Sequence, residues 1–123
     1  MNDIQNREDI VVLVNTFYQN LQQEPELNRL FNGVAKIDWE LHLPKMYDFW
    51  ETILFHKAIY KGNPMKVHVD LDQKSKLEKE HFNNWLHIFK TTVDSLFSGE
   101  IAELPKTRAA SVATSIQLKT VYQ

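Results

Sequence analysis

Apolar residues recur at three- and four-residue steps along almost the whole chain, and few residues interrupt the pattern. The first stripe contains Ile10, Leu13, Val14, Phe17 and Leu21. This spacing is typical of an amphipathic helix with one buried face. The 123 residues include only three glycines and four prolines, fewer than the turns of a β-rich fold would need. The sequence therefore predicts an all-α fold, and its length predicts a single domain over 1–123.

Breaks in the pattern divide the rest of the chain. Asn6 or Asp3 is placed to cap the first helix, which Pro25 ends. The predicted segments that follow are a short turn over 26–31, a link over 33–37, a helix over 38–56, a helix of one or two turns over 64–69, a helix over 72–98 and a last helix over 104–122. Pro64 is well placed to open its helix with Asn63 as the cap. Gly99 is expected to stop the helix before it.

Composition and charge exclude several classes of function. The net charge is −2, so there is no electrostatic reason to expect nucleic acid or an anionic membrane as a partner. The chain has no cysteine, which excludes disulfides, thiolate catalysis, iron–sulfur clusters and thiolate-ligated haem or zinc. No apolar run approaches the roughly 20 residues that span a bilayer. The first nine residues are mostly polar and do not resemble a secretory signal, so a cytoplasmic location is expected.

Three of the five histidines have simple structural interpretations. His81 follows Glu78 with the Glu-x-x-His spacing of di-iron helical bundles, but such a site needs a second copy that the chain lacks. His56 is expected at a helix C-terminus, where a cation is favourable. His87 falls off the apolar stripe and is expected to be exposed.

The other two histidines lie on either side of one apolar helix. His42 is in its first turns, and His68 is in the short helix opened by Pro64. This arrangement would place two imidazoles on opposite sides of a flat ligand, as in a globin, where one histidine binds the haem iron. From spacing alone, both residues are better explained as ordinary surface or core histidines, because a lone histidine on a helix is more often one of these than a metal ligand.

Longer stretches make the comparison specific; they are Phe17-Tyr18, Leu30-Phe31, 42–51 (HLPKMYDFWE), 60–65 (YKGNPM), His68 and 81–86 (HFNNWL). Through these stretches, over about 10–116, the chain resembles the third group of the truncated haemoglobins. The glycine motifs of the first two groups are missing. The resemblance implies a globin-like two-over-two helical sandwich in which 64–69 is a shortened F segment.

The resemblance also implies roles for individual residues. His68 matches the proximal histidine that binds the haem iron. Tyr18 matches the distal tyrosine of the B helix, and His42 matches the distal histidine of the E helix. Met46 follows His42 by about one turn, over the haem. Trp85 matches the G-helix tryptophan of the distal pocket.

Further residues are expected to contact haem b, the cofactor that the resemblance implies. Phe31 matches the phenylalanine that packs on the haem edge, and Lys45 is placed to reach a propionate, with Lys66 as the alternative. Aromatic and thioether side chains suit an apolar pocket, although plain core packing explains them equally well. These side chains belong to Phe49, Trp50, Met65, Phe82 and Phe89. The second ring nitrogen of His68 needs an acceptor, predicted to be a backbone carbonyl near Pro64.

Three functions stay open at this point. The first is a haem protein that binds oxygen, nitric oxide or carbon monoxide; Tyr18 and Trp85 carry donors that cost about 1–3 kcal/mol each if buried unpaired. The second is a haem redox enzyme acting on nitric oxide, oxygen or peroxide, with His42 as an acid–base group and a reductase as partner. The third is a haem-free helical interaction module, which would show no haem absorbance. Whether the protein is an enzyme is left undecided.

Overall fold

The computed structural model describes residues 1–123 and contains helices and connections without any strand. The helices are α1 (Arg7–Leu21), α2 (Pro25–Asn28), α3 (Trp39–Phe55), α4 (Pro64–Lys74), α5 (Lys79–Leu96) and α6 (Glu100–Lys119). A π-helical segment over Arg29–Val34, called the π segment below, continues directly from α2. None of these helices combines the length and the apolar character needed to cross a bilayer.

Four helices form two packed pairs. Helix α1 packs on α3, and α5 packs on α6; further contacts join α1 to α5 and α3 to α6. The predicted stripe of α1 is buried at this junction, where Ile10, Leu13 and Leu21 are completely buried beside Phe89 and Val93 of α5. Helix α4 packs on α6 and on the π segment rather than on α3. This is the expected two-over-two arrangement, with α4 in the position of the F segment.

Both candidate N-terminal caps are used, but for different helices. The Asn6 side chain accepts a hydrogen bond from the backbone N–H of Asp9 and caps α1. The Asp3 carboxylate instead accepts from the N–H groups of Ile101 and Ala102 at the start of α6, at 3.0 and 2.7 Å. Burial raises the pKa of Asp3, but the hydrogen bonds from backbone N–H groups outweigh burial and lower it. The N-terminal segment is therefore part of the α6 cap.

That cap explains why α6 begins at Glu100 and not at 104 as predicted. Gly99 precedes the helix with a φ of 145°, and a Cβ at this position would collide with the Asp3 side chain. Gly99 is thus the N-cap residue of α6. It does not stop the preceding helix as predicted, because that helix already ends at Leu96. The spacing of Ala109, Val112, Ala113, Ile116 and Leu118 predicts one packing face for this helix. That face is shorter than expected, because Leu118 is 57% exposed.

Helix α4 is longer than the one or two turns predicted, and it contains the residue predicted to start the next helix. The valines beside His68 lower helix propensity, but packing of buried Leu71 on the rest of the fold outweighs this local preference. Asp72 lies inside α4 and accepts a hydrogen bond from the N–H of Leu77, at 2.8 Å. Helix α5 consequently begins at Lys79, with Glu78 as its N-cap.

The short turn predicted over 26–31 and the link predicted over 33–37 also differ from the structure. Glu24 caps α2 by accepting from the N–H of Leu27, and Pro25 occupies the first turn. Helical backbone then continues as the π segment through Val34, so the link is only 35–38. Single π turns occur frequently at functional sites, and this one carries Phe31.

Candidate functional site

The start of α4 fixes the orientation of the His68 ring. Asn63 caps the helix through the N–H of Lys66, at 3.1 Å, and Pro64 occupies the first position. One turn later the Nδ1–H of His68 donates to the carbonyl oxygen of Pro64, at 2.7 Å. A carbonyl only accepts, so the proton of the neutral ring is on Nδ1. The predicted acceptor near Pro64 is confirmed.

The other nitrogen of His68, Nε2, is left with its lone pair. It has no hydrogen-bond partner in the protein. Every side-chain nitrogen or oxygen that is buried from solvent has such a partner, so Nε2 is not buried from solvent. The lone pair is therefore accessible from the cleft that His68 lines. Burial lowers the pKa of His68, and this effect outweighs the opposing effect of the Pro64 carbonyl. The imidazole is neutral at pH 7, which is the form that binds metals.

His68 lines a largely apolar cleft between α4, α5, α6 and the π segment. The cleft holds about 60 Å³ of space that water-sized molecules can enter, and it is partly open to solvent. Four residues predicted from the sequence line it, namely Phe31, His68, Phe82 and Trp85. The remaining lining residues were not predicted as site residues; they are Leu27, Leu30, Leu71, Leu77, His81, Val112, Ala113 and Ile116. Most of these were missed because a helical stripe does not distinguish cleft wall from core.

Tyr18 and His42 meet outside the set of residues that line this cleft, together with Trp39. The Tyr18 hydroxyl is 3.4 Å from Nε2 of His42, a long contact for a hydrogen bond. Their ring centroids are 5.5 Å apart, and the Trp39 ring lies within 5.6 Å of both. Trp39 was not among the predicted site residues, although its position three residues before His42 places both on one helix face.

The environment keeps both polar residues of this cluster uncharged. Burial, then the nearby His68 and Lys45, lower the pKa of His42 to about 4. Burial, with a smaller effect of Tyr60, raises the pKa of Tyr18 well above its ordinary value. At neutral pH the cluster therefore offers one hydroxyl that can donate and one neutral imidazole that can accept a proton.

A stack of aromatic rings supports the cleft wall from behind. Trp85 lies nearly parallel to Phe89, with centroids 5.8 Å apart, and Phe89 lies nearly parallel to Trp50 at 5.0 Å. Phe17, the neighbour of Tyr18, meets the edge of Trp85 at 5.6 Å. Phe49, the fifth ring, packs on Trp50 at 5.1 Å. The stack joins the cleft to the Tyr18 cluster.

This arrangement changes the interpretation of several residues expected to contact a cofactor. Phe49, Trp50 and Phe89 do not line the cleft, because they face the core behind Trp85. Three other expected contacts are also absent from the cleft wall; Met46 and Met65 are half-buried against the core, and Lys45 is exposed on α3. The same helical face serves the core and the cleft, so residue type alone did not separate the two roles.

The residues present fit a haem group. The fit rests on one accessible, unprotonated imidazole nitrogen at the wall of a largely apolar cleft. Neutral imidazole is a common iron ligand, and the bond from Nδ1–H to a backbone carbonyl is the usual way in which such a ligand is oriented. No cluster of three histidine or carboxylate side chains offers an alternative metal site, so the di-iron interpretation of His81 receives no support.

Comparison with known proteins settles the family. The sequence pattern of the bacterial-like globin family matches residues 2–117. This chain belongs to the bacterial-like globin family. The globin is 29% identical to a group 3 truncated hemoglobin from Campylobacter jejuni over 115 residues, which cover 91% of this chain and 88% of that protein. It also matches the crystal structure of a group III truncated hemoglobin from Campylobacter jejuni, with a TM-score of 0.84 and 27% identity over 98% of this chain and 95% of that one.

These similarities confirm the resemblance to the third group and the globin-like fold. Membership of the globin family implies haem binding. Within this fold the F segment is longer than expected, since α4 continues to Lys74.

The pKa of His42 makes the stability of this globin depend on pH. His42 takes up a proton near pH 6.5 when unfolded but near pH 4 in the fold, so between these values the unfolded chain binds more protons. We expect the free energy of unfolding of the haem-free protein to fall as the pH is lowered from 6.5 to 4. Chemical denaturation at several pH values measures this slope.

The matched control is His42→Gln, in which the slope should be shallower. His68 contributes a slope of the same sign in both proteins. Carboxylates with lowered pKa values, such as Asp3 and Glu51, also contribute equally to both slopes, so the difference between the slopes reports on His42. Equal slopes in the two proteins would show that His42 is not buried in its neutral form.

Proposed function

We propose that this globin binds haem b through Nε2 of His68 and holds a diatomic ligand, such as oxygen, nitric oxide or carbon monoxide, beside Tyr18, His42 and Trp85. When bound, the haem would supply the iron that coordinates this ligand. The observation that carries the proposal is the hydrogen bond from His68 Nδ1–H to Pro64, which leaves Nε2 unprotonated and accessible at the apolar cleft.

The other histidines are less suited to be the principal iron ligand. His81 also lines the cleft, but both its nitrogens are engaged: Nδ1 accepts from the N–H of Glu78 at 2.9 Å, and Nε2 lies 3.1 Å from a carboxylate oxygen of Glu26. His56 and His87 are exposed. The Nε2 atom of His42 faces the Tyr18 hydroxyl. Only His68 presents a free nitrogen to the apolar cleft.

A haem titration followed by absorbance spectroscopy tests the proposal. We expect the purified protein to bind haem with a defined stoichiometry and to develop a strong Soret band in the ferric state. Reduction and addition of carbon monoxide should then shift this band. A protein that stays folded by circular dichroism but acquires no Soret band would support the haem-free interaction module instead.

The Tyr18 hydroxyl is the donor best placed to retain a polar ligand. Its pKa is raised, so the hydroxyl keeps its proton, and its only polar contact, with His42, is long. A hydrogen bond to a group carrying partial negative charge contributes about 1.5–3 kcal/mol. Tyr18→Phe should therefore speed oxygen dissociation by about 10- to 100-fold.

Stopped-flow displacement of oxygen by carbon monoxide measures that rate. Tyr47→Phe is the matched control, because the Tyr47 hydroxyl donates to Asn15 and does not belong to the Tyr18 cluster. If oxygen leaves the two variants and the wild type at the same rate, Tyr18 does not contact the ligand.

A second candidate function is reduction of peroxide, which the state of His42 favours. A neutral imidazole next to the ligand side can accept the proton of an incoming hydroperoxide, so His42 would act first as a base. Turnover would further need electrons from a reductase.

The reaction of the ferric protein with hydrogen peroxide tests this second function. His42→Ala should slow the reaction by about 100-fold or more, the usual contribution of a positioned acid–base group. His87→Ala, which removes an exposed histidine, should leave the rate unchanged. An unaltered rate in His42→Ala would exclude the peroxidase-like role and leave ligand binding intact.

A further inference from the structure

We propose that Trp39 is a positioning residue, which Asn32 anchors and which holds His42 against Tyr18 and covers the ligand side of the haem site. The identification of this side as the ligand side rests on the proposed function. The packing of the three rings and the anchoring of Trp39 do not depend on it.

The beginning of α3 brings Trp39 and His42 together. Asp38 caps the helix through the N–H of Glu40, so Trp39 is its first residue, and His42 follows one turn later on the same face. The ring of Tyr18 packs against this face. Centroid distances are 5.1 Å for Tyr18 to Trp39, 5.5 Å for Tyr18 to His42 and 5.6 Å for Trp39 to His42. Because each ring contacts both others, the Trp39 ring restricts the orientations that His42 can adopt beside Tyr18.

A set of side-chain amides fixes the Trp39 ring. Its Nε1–H donates to the Asn32 side-chain oxygen at 2.8 Å. The Asn32 amide group in turn donates to the side-chain oxygens of Gln22 and Asn28, at 3.0 and 2.6 Å. Gln22 then donates to the backbone carbonyl of Tyr18 at 3.0 Å. The hydrogen bonds therefore form a path from the Trp39 indole to the backbone of Tyr18.

This path has no evident role in the cleft itself. None of Trp39, Asn32, Gln22 and Asn28 lines the cleft around His68, and Asn32 is exposed. Polar side chains lose conformational entropy when they are ordered, so three of them joined to one indole indicate that the orientation of that ring matters. Because the Trp39 ring contacts His42, fixing the ring also restricts the position of His42.

Trp39 and His42 are half-buried, whereas Tyr18 is buried beneath them. The groups that face His42 are Tyr18 from α1, His68 from α4 and Lys45 from its own helix. Removal of the Trp39 ring would admit water to His42 and favour its charged form. It would also open a path from solvent to the Tyr18 hydroxyl.

The test compares Trp39→Leu and Asn32→Ala with the wild type by two measurements. The first is the pKa of His42, from NMR titration of its ring protons in the haem-free protein and in the ferrous carbon monoxide complex. The second is the rate of carbon monoxide association after flash photolysis. Leu41→Ala is the matched control, because Leu41 lies on the same turn of α3 but is 65% exposed.

In Trp39→Leu we expect the pKa of His42 to rise by at least about one unit towards its ordinary value, and carbon monoxide to associate several-fold faster. Asn32→Ala, which keeps the indole but removes its anchor, should change both quantities in the same direction and by less. Leu41→Ala should change neither. If neither quantity moves in Asn32→Ala and Trp39→Leu, Trp39 does not position His42.

The two proposals fail in different ways. If the wild type binds no haem, the proposed function is wrong, yet the pKa of His42 in the haem-free protein still tests Trp39. If Trp39→Leu does not fold, Asn32→Ala decides the result alone, because it changes an exposed residue. A normal Soret band with an unchanged His42 pKa would reject the positioning role and keep the haem site.

Discussion

Replacement of His68 with glycine is expected to abolish the spectrum of a histidine-ligated haem and to weaken haem binding by more than about 100-fold. Loss of the group that hydrogen-bonds to a metal-binding histidine costs about 10- to 100-fold in metal affinity, and this change removes the ligand itself. Imidazole added to the solution should occupy the space left by the side chain and restore the ferrous carbon monoxide spectrum. Haem titration by absorbance, with and without imidazole, gives both results.

The matched control for this experiment is His87→Gly. His87 is exposed within α5, so the control carries the same cost of about 1 kcal/mol for glycine inside a helix but leaves the cleft unchanged. It should retain the wild-type spectrum and show no response to imidazole. A wild-type spectrum in His68→Gly without imidazole would assign the iron to another residue, with His42 the first to be examined.

Replacement of Phe89 with alanine is expected to lower the free energy of unfolding by about 3–5 kcal/mol. Phe89 is completely buried, and its ring packs between Trp50 and Trp85 and against the edge of Phe17. Truncation removes apolar contacts on every side and leaves a cavity behind the cleft wall. Urea denaturation followed by circular dichroism measures the change.

The control is Leu118→Ala, which alters a residue that the sequence pattern placed on a buried face. Leu118 is 57% exposed in the fold, so its truncation should change stability by less than about 0.5 kcal/mol. Phe89→Ala should also affect haem binding, because Trp85 would lose the ring on which it stacks. Equal and small effects in the two variants would mean that the ring stack is not the centre of the core.

The helices were predictable where their signals are local. The stripe from Ile10 to Leu21, the cap Asp38 and the pair Asn63 and Pro64 each act within one or two turns. Their structures therefore follow from the nearby sequence. The hydrogen bond from the His68 ring to the Pro64 carbonyl is also local, because a side chain one turn into a helix can reach the first carbonyl oxygens of that helix.

The site was predictable only in part, because a cleft is a product of packing. Resemblance to the third group of truncated haemoglobins singled out His68, Phe31 and Trp85, and the fold brings these three to one wall. Residue type alone made Phe89 a candidate for the pocket or for the core, and in the fold Phe89 packs behind Trp85 and does not line the cleft. Apolar periodicity reports which side of a helix faces inward, but not which inward residues border an open space.

The sequence by itself determined the helical fold class, the start of α4 and the local hydrogen bond that orients the ring of His68. Only the tertiary structure decided where α6 begins, because its cap is Asp3, which is 98 residues away from Ile101 along the chain. It also decided the pKa of His42 and the role inferred for Trp39, which depend on burial and on rings from different helices. Local hydrogen bonds and periodicity act within a few residues of the chain, whereas burial and long-range caps exist only after the helices have packed.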